Sequence, residues 1–189
     1  YLLVVEAGRI DHAHHAGNAA RALEDTKALS DAVAAARAMT GEKDTLIIVT
    51  ADHGHTISMA GYPKKGNPIL GLASATLEDA SDEAGYALAA DKKPYTTLSY
   101  ANGPGSVFSG DFSQGRPKLT QEQATDSAFR QQSLVPSPSE THGGQDVTIY
   151  AVGPRAHLFG GVVEQSYIFH VIDDALELQA RAGKATGKR

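Results

Sequence analysis

Between Val5 and His15 the chain reads VEAGRIDHAHH. This crowds two carboxylates, Glu6 and Asp11, and three histidines, His12, His14 and His15, into eleven residues. Two further clusters follow. TADHGH carries Asp52, His53 and His55, and SETHGGQD carries His142. Imidazole and carboxylate together suit zinc, and manganese and cobalt take the same donors. A lone carboxylate such as Glu6, among waters and hydroxyls, suits magnesium. The chemistry these residue types imply is a pair of zinc ions clamping the attacking and leaving oxygens of a phosphoryl group. Cysteine is absent, so disulfides and thiolate ligands are excluded and a metal must rest on these groups.

Spacing sorts the candidates. Asp11 and His15 are four residues apart, which on a helical turn places both on one face, able to share one ion. Asp52 and His53 are adjacent, and adjacent side chains diverge in regular structure. They grip one metal only where the chain is irregular, which Gly54 permits. Gly143 and Gly144 would let the backbone after His142 pass close to a crowded centre. His55 is read as a hydrogen-bonding neighbour outside the ligand set, and His14 as solvated or supporting a ligand. His170 is read as a helix residue near the core.

The elements that position these groups follow from periodicity. Tyr1–Val4, ending near Glu6, reads as a strand. His15 to about Met39 reads as one long helix, with Ala22, Leu29, Val33 and Ala36 toward the core and Gly41 as its stop. Thr45–Thr50, TLIIVT, is a continuous β-branched run, as expected of a parallel strand covered on both faces. Strand, helix, strand predicts a βαβ unit with a right-handed crossover. Residues from about Gly61 to Pro138 are rich in turn formers and read as an irregular insertion, with a short strand at Thr97–Tyr100. Asp146–Val152 alternates like a strand. Glu164–Arg181 reads as a closing helix, and the basic tail GKATGKR as frayed. In open parallel sheets ligands bind beyond the carboxyl ends of strands, and Glu6, Asp52 and His53 fall at such ends.

Composition narrows the field. The 189 residues are enough for one domain with a sizeable core. With 41% hydrophobic and 21% charged residues the chain is globular rather than disordered. The net charge of −5, without a basic patch interleaved with aromatics, argues against nucleic acid. No apolar run approaches the length of a membrane span. The chain opens at Tyr1, in what reads as mid-strand, and is expected to be a fragment. A missing signal peptide therefore says nothing of export.

Three segments in order, VEAGRIDHAHH, TADHGH and ETHGGQDV, resemble the alkaline phosphatase family. So do GYPKKGNPILGL, YANGPG, RQQSLVPSPSETHGGQDV and GPRAHLFGGVVEQSYIFHV. The resemblance covers nearly the whole chain and corresponds to the C-terminal portion of a bacterial member. It implies an α/β fold of three αβα layers around a mostly parallel sheet, incomplete here. Residues 1–189 would be part of one catalytic domain, with the insertion at about 61–138. It further implies that Asp11, His15 and His142 hold a first zinc, Asp52 and His53 a second, and Glu6 a magnesium. His12 would lie beside the ligands rather than among them. The activity implied is hydrolysis of phosphate monoesters through a phosphoserine. The nucleophilic serine, a shared aspartate ligand, the phosphate-binding arginine and a threonine on magnesium are expected upstream. Asp126-Ser127-Ala128 imitates the nucleophile motif, but a capping box at Thr120 and Gln123 would put Ser127 inside a helix, away from an anion-binding N-terminus.

The implied partners are phosphate monoesters and inorganic phosphate. The implied assembly is a homodimer, and the implied location periplasmic or secreted. The isolated chain is expected to be poorly soluble and inactive. Two other readings stand beside this one. The first is another metal-dependent phosphotransferase or esterase of the superfamily, such as a phosphodiesterase, sulfatase or phosphoglycerate mutase. The second is a non-catalytic zinc-binding fragment.

Overall fold

The computed structural model describes residues 1–108 and 115–186. Helix α1 spans Arg9–His15 and α2 spans Ala19–Met39. The long helix expected from His15 begins instead at Ala19, because Gly17 sits at φ 67° and separates it from α1. The amide of Gly17 donates to the carbonyl of His14, and that of Asn18 to the carbonyl of Ala13. This pair of bonds is a Schellman motif, which satisfies the orphan carbonyls of α1 and halts it. Asn18 then starts the next helix. Its Oδ1 accepts from the Arg21 amide at 2.9 Å, an N-cap bond to the third helical residue. The expected face of α2 is present: Ala22 is buried, and Leu29, Val33 and Ala36 are partly covered. The helix ends just before Gly41.

The chain falls into two compact units: Tyr1–Ser30 with His55–Gly144, and Asp31–Gly54 with Gln145–Arg189. In the first, strands β3 (Ile57–Met59), β4 (Leu98–Gly103) and β5 (Ser133–Pro136) form a sheet with β4 central. β4 is antiparallel to β3, with Ile57 opposite Tyr100, and parallel to β5, with Tyr100 opposite Ser133. Alternate residues of β4, Leu98 and Tyr100, are buried, as one-sided packing demands. The segment read as an irregular insertion is rich in turns, yet it carries β4, β5 and helix α3 (Gln121–Thr125). It also supplies much of the core, including Leu72, Ala75, Ala87, Leu98 and Tyr100. Two-residue strands β2 (Gly54–His55) and β6 (His142–Gly143) pair with each other.

In the second unit, β1 (Ile47–Val49) pairs with β7 (Tyr150–Val152). The pairing is antiparallel, with Ile48 opposite Ala151, not the parallel arrangement expected of a doubly covered apolar run. Apolar continuity reports burial, not strand direction. Helices α4 (Tyr167–Leu176) and α5 (Leu178–Thr186) replace the single closing helix, because Glu177 adopts φ 51° between them. Of the tail, Gly183–Thr186 is helical rather than frayed, and the last three residues lie outside the described set. His170 is exposed, not near the core.

Four further expectations are corrected. Tyr1–Glu6 is not a strand, and Tyr1, Leu2, Leu3, Val4 and Val5 are all exposed. A strand needs a neighbour for its N–H and C=O groups, and none of the described strands pairs with this run. The βαβ unit is therefore not formed. Finally, Ser127 follows α3 instead of lying within it, although the Thr120–Gln123 capping box is present. The pairings β1–β7 and β3–β4 are antiparallel and β4–β5 is parallel, so the described sheets are mixed rather than mostly parallel. No helix among the described residues is long and apolar enough to cross a membrane.

Two predictions test these local causes. A Cβ on Gly153, which has φ 104°, would lie 2.0 Å from the carbonyl oxygen of Thr45. Gly153→Ala is expected to destabilise by at least about 2 kcal/mol, while Gly160→Ala, with open space around it, leaves the denaturation midpoint unchanged. Asn18→Ala removes the α2 cap and the bond from Asn18 Nδ2 to the Ser127 carbonyl. It should cost about 1–2 kcal/mol in urea denaturation.

Candidate metal centre

Helix α1 presents Asp11, His14 and His15 because its Schellman end fixes the last turn. The four-residue spacing brings His15 Nε2 to 3.3 Å from Asp11 Oδ1. Strand β6 delivers His142, whose Nε2 lies 3.5 Å from the same oxygen and 3.1 Å from His15 Nε2. Strand β2, paired with β6, delivers His55, whose Nε2 lies 3.2 Å from Asp11 Oδ1. One carboxylate oxygen is thus the focus of three imidazoles drawn from three separate segments. The rings of His15 and His142 are 5.0 Å apart, and that of His55 stands nearly perpendicular to both.

The Asp11, His15 and His142 donors fit a metal. Zinc bonds to nitrogen and oxygen at about 2.0–2.2 Å, so two ligands of a tetrahedron lie roughly 3.3–3.5 Å apart. The three separations here, 3.3, 3.5 and 3.1 Å, are edges of that size. All three side chains retain some exposure, His142 most at 50%. The triad is therefore open on one side.

Behind it lies a group that motif reasoning passed over. Glu140 is 1% exposed, although it precedes His142 by only two residues. Its Oε2 accepts from His55 Nδ1 at 2.7 Å, and its Oε1 accepts from the Thr56 amide and hydroxyl at 2.6 and 2.8 Å. Its backbone carbonyl accepts from His15 Nδ1 at 2.6 Å. His14, expected to be solvated or a supporting group, stacks on His55 at 4.5 Å and shares a 2.7 Å hydrogen bond with the Tyr100 hydroxyl. Burial first, and then the neighbouring His55, lower the His14 pKa to about 4, so this imidazole is neutral at neutral pH. Burial, reinforced by the Glu140 carboxylate, raises the Tyr100 phenol and keeps it protonated. The short strand read at Thr97–Tyr100 was the available signal for Tyr100. For Glu140 there was no such signal, since a charged residue in a Ser- and Pro-rich stretch reads as exposed.

Asp52 and His53 lie in the second unit, in irregular chain, with His53 Nε2 3.4 Å from Asp52 Oδ2. The Asp52 carbonyl accepts from Gln165 Nε2 at 3.1 Å, which anchors the loop. Glu6 is exposed just before α1, and none of the three-ligand groups among the described residues includes it. His12 is exposed on α1. A Cβ on Gly144 would meet nothing within 4 Å, so this glycine is not required by crowding, contrary to expectation.

Comparison with known proteins agrees with the motif order. The sequence model of the family described as "Alkaline phosphatase" matches residues 1–178. The tissue-nonspecific isozyme of alkaline phosphatase from Mus musculus is 43% identical over 173 residues, covering 91% of this chain and 30% of that protein. The Rattus norvegicus isozyme shows the same identity and coverage. The Homo sapiens isozyme is 41% identical over 184 residues, covering 97% of this chain and 32% of its own length. The chain spans about a third of the length of these curated relatives. With the match running across nearly every segment described above, the chain belongs to the alkaline phosphatase family.

Proposed function

We propose that this chain supplies metal ligands to an enzyme that hydrolyses phosphate monoesters. The observation that carries the reading is the meeting of Asp11, His15 and His142 at tetrahedral-edge distances, in a chain of this family. In this reading Asp11, His15 and His142 hold one zinc ion, and Asp52 and His53 hold a second. A divalent cation bound there supplies Lewis-acid stabilisation of charge on phosphoryl oxygens. The protein's part is to keep Asp11 Oδ1 and the Nε2 atoms of His15 and His142 converged before the ion arrives, so little reorganisation accompanies binding. The exposed side of the triad, where His142 stands, is the side open to a phosphate.

Magnesium at Glu6 rests on the family resemblance alone. The phosphoserine route, with the nucleophile outside this chain, rests on the same ground. So do a homodimer, a periplasmic or secreted location, and a three-layer αβα domain.

The test uses the intact protein. His15→Ala and His142→Ala should each weaken zinc retention against a chelator and lower kcat/KM for a phosphate monoester by at least about 100-fold. Unchanged turnover in both variants refutes the assignment. The substrate class is tested separately, with a monoester, a diester and a sulfate ester at equal concentration. The monoester should be hydrolysed fastest, and a faster diester or sulfate ester moves the function to another branch of the superfamily.

A further inference from the structure

We propose that Glu140 is a positioning residue for this cluster. It holds a proton on Nδ1 of both His15 and His55, the first through its backbone carbonyl and the second through its carboxylate, so that each imidazole turns Nε2 toward Asp11. The inference deepens the metal reading and rests on it for the link to zinc, but its geometric core stands on hydrogen bonds alone.

A carbonyl oxygen only accepts, so the 2.6 Å contact from His15 Nδ1 to the Glu140 carbonyl requires the proton on Nδ1. The Glu140 amide in turn donates to the His15 carbonyl at 3.0 Å, so the residue grips His15 with both its backbone groups. The side chain acts on His55. Oε1 already takes the Thr56 amide and hydroxyl, and Oε2 faces His55 Nδ1 at 2.7 Å. A buried carboxylate without these donors would carry a heavy desolvation cost, so the contacts are strongly enforced. The opposite ring nitrogen of each histidine then points at Asp11 Oδ1, at 3.3 Å for His15 and 3.2 Å for His55. Gly103 leaves room for this arrangement. A Cβ there would stand 3.3 Å from Glu140 Cβ, at a φ of 136° that side chains rarely adopt. Partners that fix the tautomer of an imidazole and support a metal's ligands govern affinity as strongly as some ligands do.

The two attachments make the idea separable from a merely structural role. In Glu140→Gln the side-chain oxygen can still accept from Thr56, but the amide nitrogen then faces His55 Nδ1 and demands an acceptor. The His55 proton should move to Nε2, while His15, held by the backbone, keeps its proton on Nδ1. The experiment records histidine ring 15N spectra of the metal-free intact protein at about pH 9, where a free imidazole is neutral. Zinc affinity is measured alongside by chelator competition, with His142→Ala as the comparison. The expected result is a tautomer change at His55 only, with zinc affinity reduced about 10- to 100-fold in Glu140→Gln. An unchanged His55 tautomer with unchanged zinc affinity, while His142→Ala loses zinc, overturns this inference and leaves the metal reading standing. Zinc affinity unchanged in both variants overturns the metal reading and the inference with it. Should Glu140→Gln not fold, Glu140→Asp keeps the charge but withdraws the carboxylate. Mixed tautomers at His55 then support the inference, and a retained Nδ1 proton overturns it.

Discussion

A carboxylate sealed from water must have its oxygens occupied, and Glu140 is the residue on which that constraint falls hardest. Its donors come from β2 and the residue after it, and its own backbone joins α1. Satisfying one buried anion therefore ties together the three segments that carry Asp11, His15, His55 and His142. The convergence of imidazoles on Asp11 Oδ1 is a by-product of that wiring as much as of the ligands' own attraction. Low dielectric strengthens each of these bonds and makes a half-satisfied version costly, so the network tends to be complete or absent.

The packing around it is built for close approach rather than bulk. Ala13, Ala19, Ala20 and Ala22 are buried on α1 and α2, and Ala73, Ala75 and Ala87 in the turn-rich segment. Small side chains let backbones come near enough for the chain-to-side-chain bonds just described. Gly105 shows the same economy, since a Cβ there would fall 2.1 Å from the Gln131 carbonyl oxygen. The elbow between α1 and α2 is fastened from outside as well, by the Gln131 amide donating to the Gly17 carbonyl at 2.8 Å.

The sequence was most legible where chemistry is local. The Asp11–His15 spacing, the capping box before α3, the stop after α2 and the buried face of that helix follow from periodicity and short-range hydrogen bonding. Asp52 and His53 were readable as a pair needing irregular chain, which is what surrounds them. Long-range partners were not legible. Nothing in TLIIVT says that its neighbour runs antiparallel, because apolar continuity records only burial. Tyr1–Val5 has every strand propensity and no partner among the described strands, so it forms no strand and stays exposed. Glu140 was hidden for a related reason: its burial depends on Thr56 and His55, 84 and 85 positions away.

The same separation has a kinetic side. His15 and His142 stand 127 residues apart in the chain and touch through their ring nitrogens. Closing a loop of that length costs about 4 kcal/mol of chain entropy before any contact rewards it. Contacts of such span slow folding and form after local helices have been sampled. Between the emergence of α1 and that of His142, the helix can form while its histidines still lack this long-range neighbour. The cluster around Asp11 is complete only once the segment that carries His142 has emerged and docked.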